Sequence, residues 1–301
     1  MDAATPWTIH LIEANGLAFE TAVMGTGEDL VLCLHGFPET YFSWRHQMPV
    51  LAEAGYTVWA PNLRGYGGSS RPKGVDAYRL PTLIEDVAGL YDAAVARGHR
   101  PKVLMAHDWG GVIAWFAILR RVRPFERFIV INIPHPACAR AGFLRGGQIL
   151  KSWYMFFFQL PWLPERLLTA DGARAIGRAF TGTAAHKDRF PPEAVQVFRE
   201  NALIPGAMTA MLNYYRALLG RSDLRRLMAE GPLETDIPTL MIWGENDMAL
   251  GLHLTEGTGQ YVSNLTFRPL PGISHWAQQD DPNTVNALIS EWLDRSPPSG
   301  G

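Results

Sequence analysis

Three residues far apart in the chain, Asp108, Asp247 and His275, have types and settings that together could break a bond through attack by a carboxylate. The first lies in Ala106-His107-Asp108-Trp109-Gly110, directly after the apolar run Val103-Leu104-Met105-Ala106. Small residues two places before and two places after a central residue let the chain turn sharply from strand to helix. Such a turn pushes the central side chain out at the carboxyl end of the strand. The residue displayed this way is Asp, not Ser. On this segment alone, the alternative is that Asp108 is merely the N-cap of a helix beginning near Trp109. As a nucleophile, a carboxylate achieves little on an ester or amide, because the anhydride formed falls back. At a saturated carbon it can displace a leaving group and form an alkyl ester, which water must then cleave.

That cleavage requires a general base and an acid that orients it. The run Thr239-Leu240-Met241-Ile242-Trp243 ends in Gly244-Glu245-Asn246-Asp247, placing Asp247 past a strand end, with Glu245 as the alternative acid. Leu270-Pro271-Gly272-Ile273-Ser274-His275-Trp276 places His275 on a late loop, again past a strand. Nucleophile, acid, histidine is a chain order compatible with a hydrolytic triad. The tetrahedral intermediate needs oxyanion donors. Two backbone N–H groups are candidates, that of Phe37 in His35-Gly36-Phe37-Pro38 and that of Trp109 after the nucleophile. The first of these segments also reads as a plain strand-ending turn.

These residues must be held by a scaffold. Short apolar runs at 30–34, 56–60, 103–106, 127–131, 239–243 and 265–270 end in turn signals, and helical periodicity fills 83–96 and 112–122. Continuous apolar strands alternating with helices predict an α/β protein with a mostly parallel sheet covered on both faces. Strand-like runs vanish between about His135 and Gly231, where helical stretches rich in Phe, Leu, Tyr and Ala take over. The expectation is a core domain from residues 1–134 and 232–301, with a helical lid at 135–231 inserted into it.

Composition narrows the function. A chain of 301 residues with 47% apolar content can bury one large core, and a net charge of −2 without long like-charge runs gives no nucleic-acid footprint. The N-terminus shows no signal peptide, and the apolar stretch around Ile149 to Leu163 is too short and proline-broken to span a membrane. With only Cys33 and Cys138, neither a disulfide framework nor a metal site is expected. A soluble, cytoplasmic setting is the expectation.

From about residue 8 to residue 293 the chain resembles the α/β-hydrolase-fold epoxide hydrolases, relatives of the haloalkane dehalogenases. The matching segments are His35-Gly36-Phe37-Pro38-Glu39-Thr40, Arg64-Gly65-Tyr66-Gly67-Gly68-Ser69-Ser70, His107-Asp108-Trp109-Gly110-Gly111, Asn132-Ile133-Pro134-His135-Pro136, Trp153-Tyr154 and Asn213-Tyr214-Tyr215-Arg216. The resemblance implies the α/β-hydrolase fold, with an eight-stranded sheet, helices on both faces and an inserted helical lid. It also implies opening of a small apolar epoxide by water to a vicinal diol, with no cofactor and no metal.

Opening an epoxide releases an alkoxide, so an acid must supply a proton or a strong hydrogen bond. In the family resembled, two lid tyrosines clamp the epoxide oxygen. Tyr215, directly before Arg216, matches the second. For the first, some relatives carry tyrosine where Tyr154 stands and others where this chain has Phe157, about one helical turn away. Tyr214 neighbours Tyr215 but points about 100° away on a helix. The expected pocket is apolar, formed by Phe37, Trp109, Tyr154, Phe157, Phe158, Tyr215 and Trp276. The aromatic run Trp153 to Phe158 and Trp162 would add to it or pack lid on core. Arg64 and His135 read as loop-fixing, and His107 as pointing away from the substrate. A haloalkane dehalogenase is the nearest alternative, since the Trp109 indole could hold a halide. However, those enzymes typically place a polar side chain such as Asn where Phe37 stands. Fluoroacetate dehalogenases use an Arg after the nucleophile, and here Trp109 occupies that place. A non-catalytic ligand-binding protein of the same fold would need neither the triad nor the tyrosines.

Overall fold

The central apolar runs fold as strands because they are buried on both faces, alternating residues between two layers of packing. The computed structural model describes residues 6–220 and 222–295. Its sheet comprises β1 (Thr8–Ala14), β2 (Leu17–Met24), β3 (Asp29–Leu34), β4 (Thr57–Pro61), β5 (Arg100–His107), β6 (Arg127–Ile131), β7 (Thr239–Gly244) and β8 (Leu265–Leu270). The order is β1-β2-β4-β3-β5-β6-β7-β8. Only β2 runs antiparallel to both of its neighbours. Leu30, Leu32, Leu104, Phe128 and Val130 pack on one face; Val31, Cys33, Met105, Ile129 and Ile131 pack on the other. Helices α2 (Leu80–Val95) and α3 (Asp108–Leu119) cover the first face, and α1 (Gln47–Glu53) and α11 (Pro282–Asp294) the second.

Register decides where chemistry can occur. Leu34 pairs with Ala106, His107 with Ile131, Ile131 with Ile242, and Gly244 with Leu270. The carboxyl ends of β3, β5, β6, β7 and β8 therefore share one edge of the sheet. The residues just past them are His35, Asp108, Asn132, Glu245 and Pro271. Crevices outside such strand ends are where open parallel sheets bind ligands.

Between β6 and β7, the described chain forms α4 (Pro136–Gly142), α5 (Gln148–Lys151), α6 (Trp153–Phe157), α7 (Leu163–Thr181), α8 (Pro192–Leu203), α9 (Ala207–Gly220) and α10 (Asp223–Ala229). Helix α7 is broken at Ala170–Ala173, where Asp171, Gly172 and Ala173 turn left-handed. Phe180 stacks on Phe190 and Phe198, at 5.8 and 4.4 Å between ring centres, and anchors α7 to α8. The β1–β2 hairpin was not expected strand by strand. Its signal is Asn15-Gly16, a pair at φ +47° and +70° that closes a two-residue turn.

Candidate active site

Asp108 opens α3 at the end of β5 with φ +47°, a left-handed conformation that costs an L-residue about 1–2 kcal/mol. The turn is possible because a side chain at Gly110 would strike the Leu34 carbonyl oxygen at 2.3 Å, and one at Gly36 would strike Asp108 Cβ at 2.3 Å. Asp108 does not serve as the cap of its own helix. His107 occupies the N-cap position, and Asp108 Oδ1 instead accepts the Phe37 backbone N–H at 2.7 Å. Trp109, second residue of α3, carries one of the helix-opening N–H groups that have no partner within the helix. The same helix end favours negative charge at Asp108.

His275 lies between two carboxylates. Its Nδ1 is 2.6 Å from Asp247 Oδ2, and its Nε2 is 3.4 Å from Asp108 Oδ2. Asp247 is buried and accepts three more hydrogen bonds: from Asn132 Nδ2 at 2.8 Å, from Ala249 N–H at 2.7 Å and from Leu250 N–H at 2.8 Å. Burial alone would raise its pKa, but the charge and hydrogen bond of His275, with these donors, hold it below the ordinary carboxylate value. Burial would likewise lower the His275 pKa. The Asp247 charge, together with the hydrogen bond and charge of Asp108, instead drives it well above the ordinary histidine value. Glu245, the alternative acid, is exposed, so Asp247 is the acid that reaches His275.

Two groups escaped sequence reasoning as parts of this machinery. Asn132 follows β6 with φ +46°; its Oδ1 accepts the Gly244 N–H at 2.9 Å while its Nδ2 donates to Asp247. It ties the ends of β6 and β7 together beneath the acid. The available signal was a polar residue at a carboxyl strand end on the same edge. The second is Glu39, fully buried, whose Oε2 lies 2.7 Å from His107 Nδ1 and also accepts the Gly36 N–H at 2.9 Å. Its Oε1 accepts from the side-chain amides of Gln278 and Gln279 at 3.0 and 2.8 Å. His107 Nε2 is 2.9 Å from the His275 carbonyl oxygen, so its two ring nitrogens are held between Glu39 and the His275 backbone. His107 thus points away from the cavity and braces the backbone of His275.

The lid brings its tyrosines over Asp108. The Tyr215 ring, on α9, lies 5.0 Å from Trp109, 5.4 Å from Phe37, 5.0 Å from Phe158 and 5.9 Å from Tyr154. Burial and the Asp108 charge push the Tyr215 hydroxyl well above its ordinary pKa. Tyr154 is raised by burial and by the charges of Asp108 and Asp247. Tyr214 points elsewhere and donates its hydroxyl to the Arg64 carbonyl oxygen at 2.8 Å. Arg64 is clamped on Asp86 at 2.8 and 2.5 Å, and His135 stacks on Tyr261 at 4.8 Å; both hold loops.

A largely apolar cavity of about 700 Å³ runs from Asp108 under the lid, with Trp109, Tyr154 and Tyr215 on its wall beside Val112, Met155 and Leu250. Four residues expected in the pocket are not on that wall. Phe37 and Phe158 are spent as edge-on supports for Tyr215, and Phe157 packs against Trp153 and Phe158. Trp276 packs on Phe180 at 4.5 Å and donates its indole N–H to Thr183 at 2.9 Å. Tyr154, rather than Phe157, reaches the cavity. Trp153, Phe156 and Trp162 turn outward and are exposed, contrary to the expectation of a wholly inward aromatic run. Among the described residues no cluster of three or more His, Cys, Asp or Glu is arranged to hold a metal ion.

Comparison with known proteins agrees with this architecture. A family model described as alpha/beta hydrolase fold matches residues 29–282. The AB hydrolase superfamily protein YfhM of Bacillus subtilis (strain 168) is 37% identical over 286 residues, covering 94% of this chain and 97% of that protein. Epoxide hydrolase 4 of Homo sapiens is 36% identical over 289 residues, covering 94% of this chain and 77% of that protein. The crystal structure of a Bacillus megaterium epoxide hydrolase in complex with an inhibitor superposes with a TM-score of 0.86. It is 29% identical and covers 95% of this chain and 100% of that one.

Proposed function

The chain belongs to the α/β-hydrolase fold family and, within it, to the epoxide hydrolases; from that premise we propose that it opens a small apolar epoxide with water, through an ester on Asp108. The observation that carries the proposal is a convergence on one carboxylate. Asp108 has Oδ1 held by the Phe37 N–H at 2.7 Å and Oδ2 facing His275 Nε2 at 3.4 Å, and it opens onto a cavity walled by Tyr154 and Tyr215.

In the first step, the anchored Asp108 carboxylate attacks a ring carbon and the C–O bond breaks. Tyr154 and Tyr215, both biased toward the protonated form, donate to the departing oxygen. The result is a hydroxyalkyl ester on Asp108. Ester formation removes one of the two negative charges flanking His275, so its pKa falls at the moment a base is needed. In the second step, His275, oriented by Asp247, takes a proton from water, and the hydroxide attacks the Asp108 ester carbonyl carbon. The N–H groups of Phe37 and Trp109 hold the oxyanion. Collapse of that intermediate expels the alcohol oxygen, which takes the proton held by His275, and the proton left on the Asp108 carboxyl replaces the one given up by the tyrosines, so the diol leaves and the carboxylate is restored.

The dehalogenase alternative asks for a polar side chain where Phe37 stands, and that position here holds an aromatic ring packed edge-on against Tyr215 at 5.4 Å. The test uses a styrene-oxide-type epoxide and a haloalkane of matched size. The proposal expects a vicinal diol from the first and no halide from the second. Halide release with no diol would assign the site to the other chemistry.

A further inference from the structure

The lid stretch expected to fill the pocket is apolar on its outward side as well. Along α5, α6 and the turn that follows, Ile149, Trp153, Phe156 and Leu160 succeed one another at intervals of four, three and four residues, the spacing of one helical stripe. All four are exposed, Trp153 by 62%. Leu150, 79% exposed, and Trp162, 65% exposed, extend the patch. A neighbouring side of the same stretch, carrying Gln148, Ser152 and Met155, lines the cavity with Tyr154. The cavity wall also includes Leu144, itself 79% exposed, so pocket and outer patch share a rim. Scattered exposed hydrophobes are ordinary, but a contiguous group of large ones marks an interaction surface.

Charge indicates what the surface meets. Residues 136–178 hold six basic side chains and two acidic ones, within a chain of net charge −2. One of the two acids, Glu165, is occupied by Arg216 at 2.7 Å. Arg140, Arg145 and Arg166 are exposed and form no side-chain ion pair with a described residue. Aromatic and aliphatic side chains flanked by cations are the composition of a segment that settles into the headgroup layer of an anionic membrane. A second copy of this chain fits less well, because a twofold contact presses two copies of the same positively charged patch together.

We propose that the outward face of the lid docks on an anionic lipid surface, with Trp153, Phe156 and Trp162 entering the interfacial layer and Arg145 and Arg166 pairing with lipid phosphates. The contact is peripheral: among the described residues no helix is long and apolar enough to cross a membrane. Docking in this way sets the cavity rim against the layer in which apolar molecules dissolve.

The test is co-sedimentation of the full chain with vesicles of phosphatidylcholine alone and of phosphatidylcholine with one third phosphatidylglycerol. Binding is expected to the anionic vesicles, with a blue-shifted tryptophan emission, and to weaken as salt rises. Arg145→Gln/Arg166→Gln should bind roughly thirtyfold more weakly, and Trp153→Ser/Trp162→Ser should lose both the binding and the emission shift. Both variants should keep wild-type hydrolysis of a water-soluble epoxide, which also separates this proposal from the catalytic one. Equal binding of wild type and both variants would overturn the proposal, as would no binding to anionic vesicles. So would a dimer in solution that Trp153→Ser/Trp162→Ser dissociates, since it would assign the face to self-association.

Discussion

The core and the lid hold their site residues by different means. At the sheet edge every working side chain is fixed by short polar contacts: Asp108 by the Phe37 N–H, Asp247 by four donors, His275 by Asp247, and the His275 carbonyl by His107. In the lid, Tyr215 is positioned chiefly by rings, packed edge-on against Phe37, Trp109, Tyr154 and Phe158. Hydrogen bonds are directional and fix a nucleophile and base to tenths of an ångström. Ring contacts tolerate repacking, so a lid can change shape around different substrates while the edge of the sheet keeps one chemistry. The comparison teaches that core substitutions should alter which steps occur, and lid substitutions how fast the first step runs and on what.

The sharpest way to break that division is at the core. Asp108→Ala should reduce turnover by about 10⁴-fold or more and leave no covalent adduct. His275→Gln should lose turnover on a similar scale, yet accumulate a hydroxyalkyl adduct visible by intact mass. Wild-type turnover by the His275 variant would remove the base from the account. In the lid, Tyr215→Phe and Tyr154→Phe should each slow ester formation by about 10²-fold, with the hydrolysis step near wild type in single-turnover measurements. A slower hydrolysis step instead would dissolve the distinction between the regions. Asn132→Ala should cost about 1–3 kcal/mol in thermal unfolding and lower kcat by about tenfold, because Asp247 keeps its two backbone donors and its place at His275.

The pH profile is the subtlest discriminator. The hydrogen bond and charge of His275 and the Phe37 N–H outweigh burial and hold Asp108 below the usual carboxylate pKa, so it stays ionised as pH falls toward that value. Tyr154 and Tyr215 are raised, so they stay protonated as pH rises toward the ordinary tyrosine value. Ester formation should therefore be flat between about pH 5 and pH 9. Ester hydrolysis should accelerate with pH as His275 on the alkylated enzyme loses its proton. An alkaline fall in the first step inside that window, followed by stopped-flow fluorescence, would count against the tyrosines as acids.

Much of the core was legible because its signals are local. The small-x-Asp-x-Gly pattern around Asp108 encodes a turn, and runs such as Leu30 to Leu34 encode a strand buried on both faces. Asp247 and His275 followed from their places just past strand ends. Glu39 and Asn132 were harder, since their roles depend on partners distant in the chain: Gln278 and Gln279 for one, Gly244 and Asp247 for the other. The lid was least legible. Its composition is apolar throughout, and no local rule decides that Tyr154 and Met155 face the cavity while Trp153 and Phe156 face outward. Tertiary packing settles that, and sequence periodicity over helices as short as α5 and α6 carries little phase information.

The account rests on a protein oxygen leaving in the product while solvent refills its place. Many turnovers in ¹⁸O-labelled water, followed by mass spectrometry of the peptide containing Asp108, should show one heavy oxygen built into that carboxylate. In a single turnover, the first diol released should carry only unlabelled oxygen. A labelled diol from the first turnover, with an unlabelled Asp108 afterwards, would mean that water attacks the epoxide directly and that no ester forms.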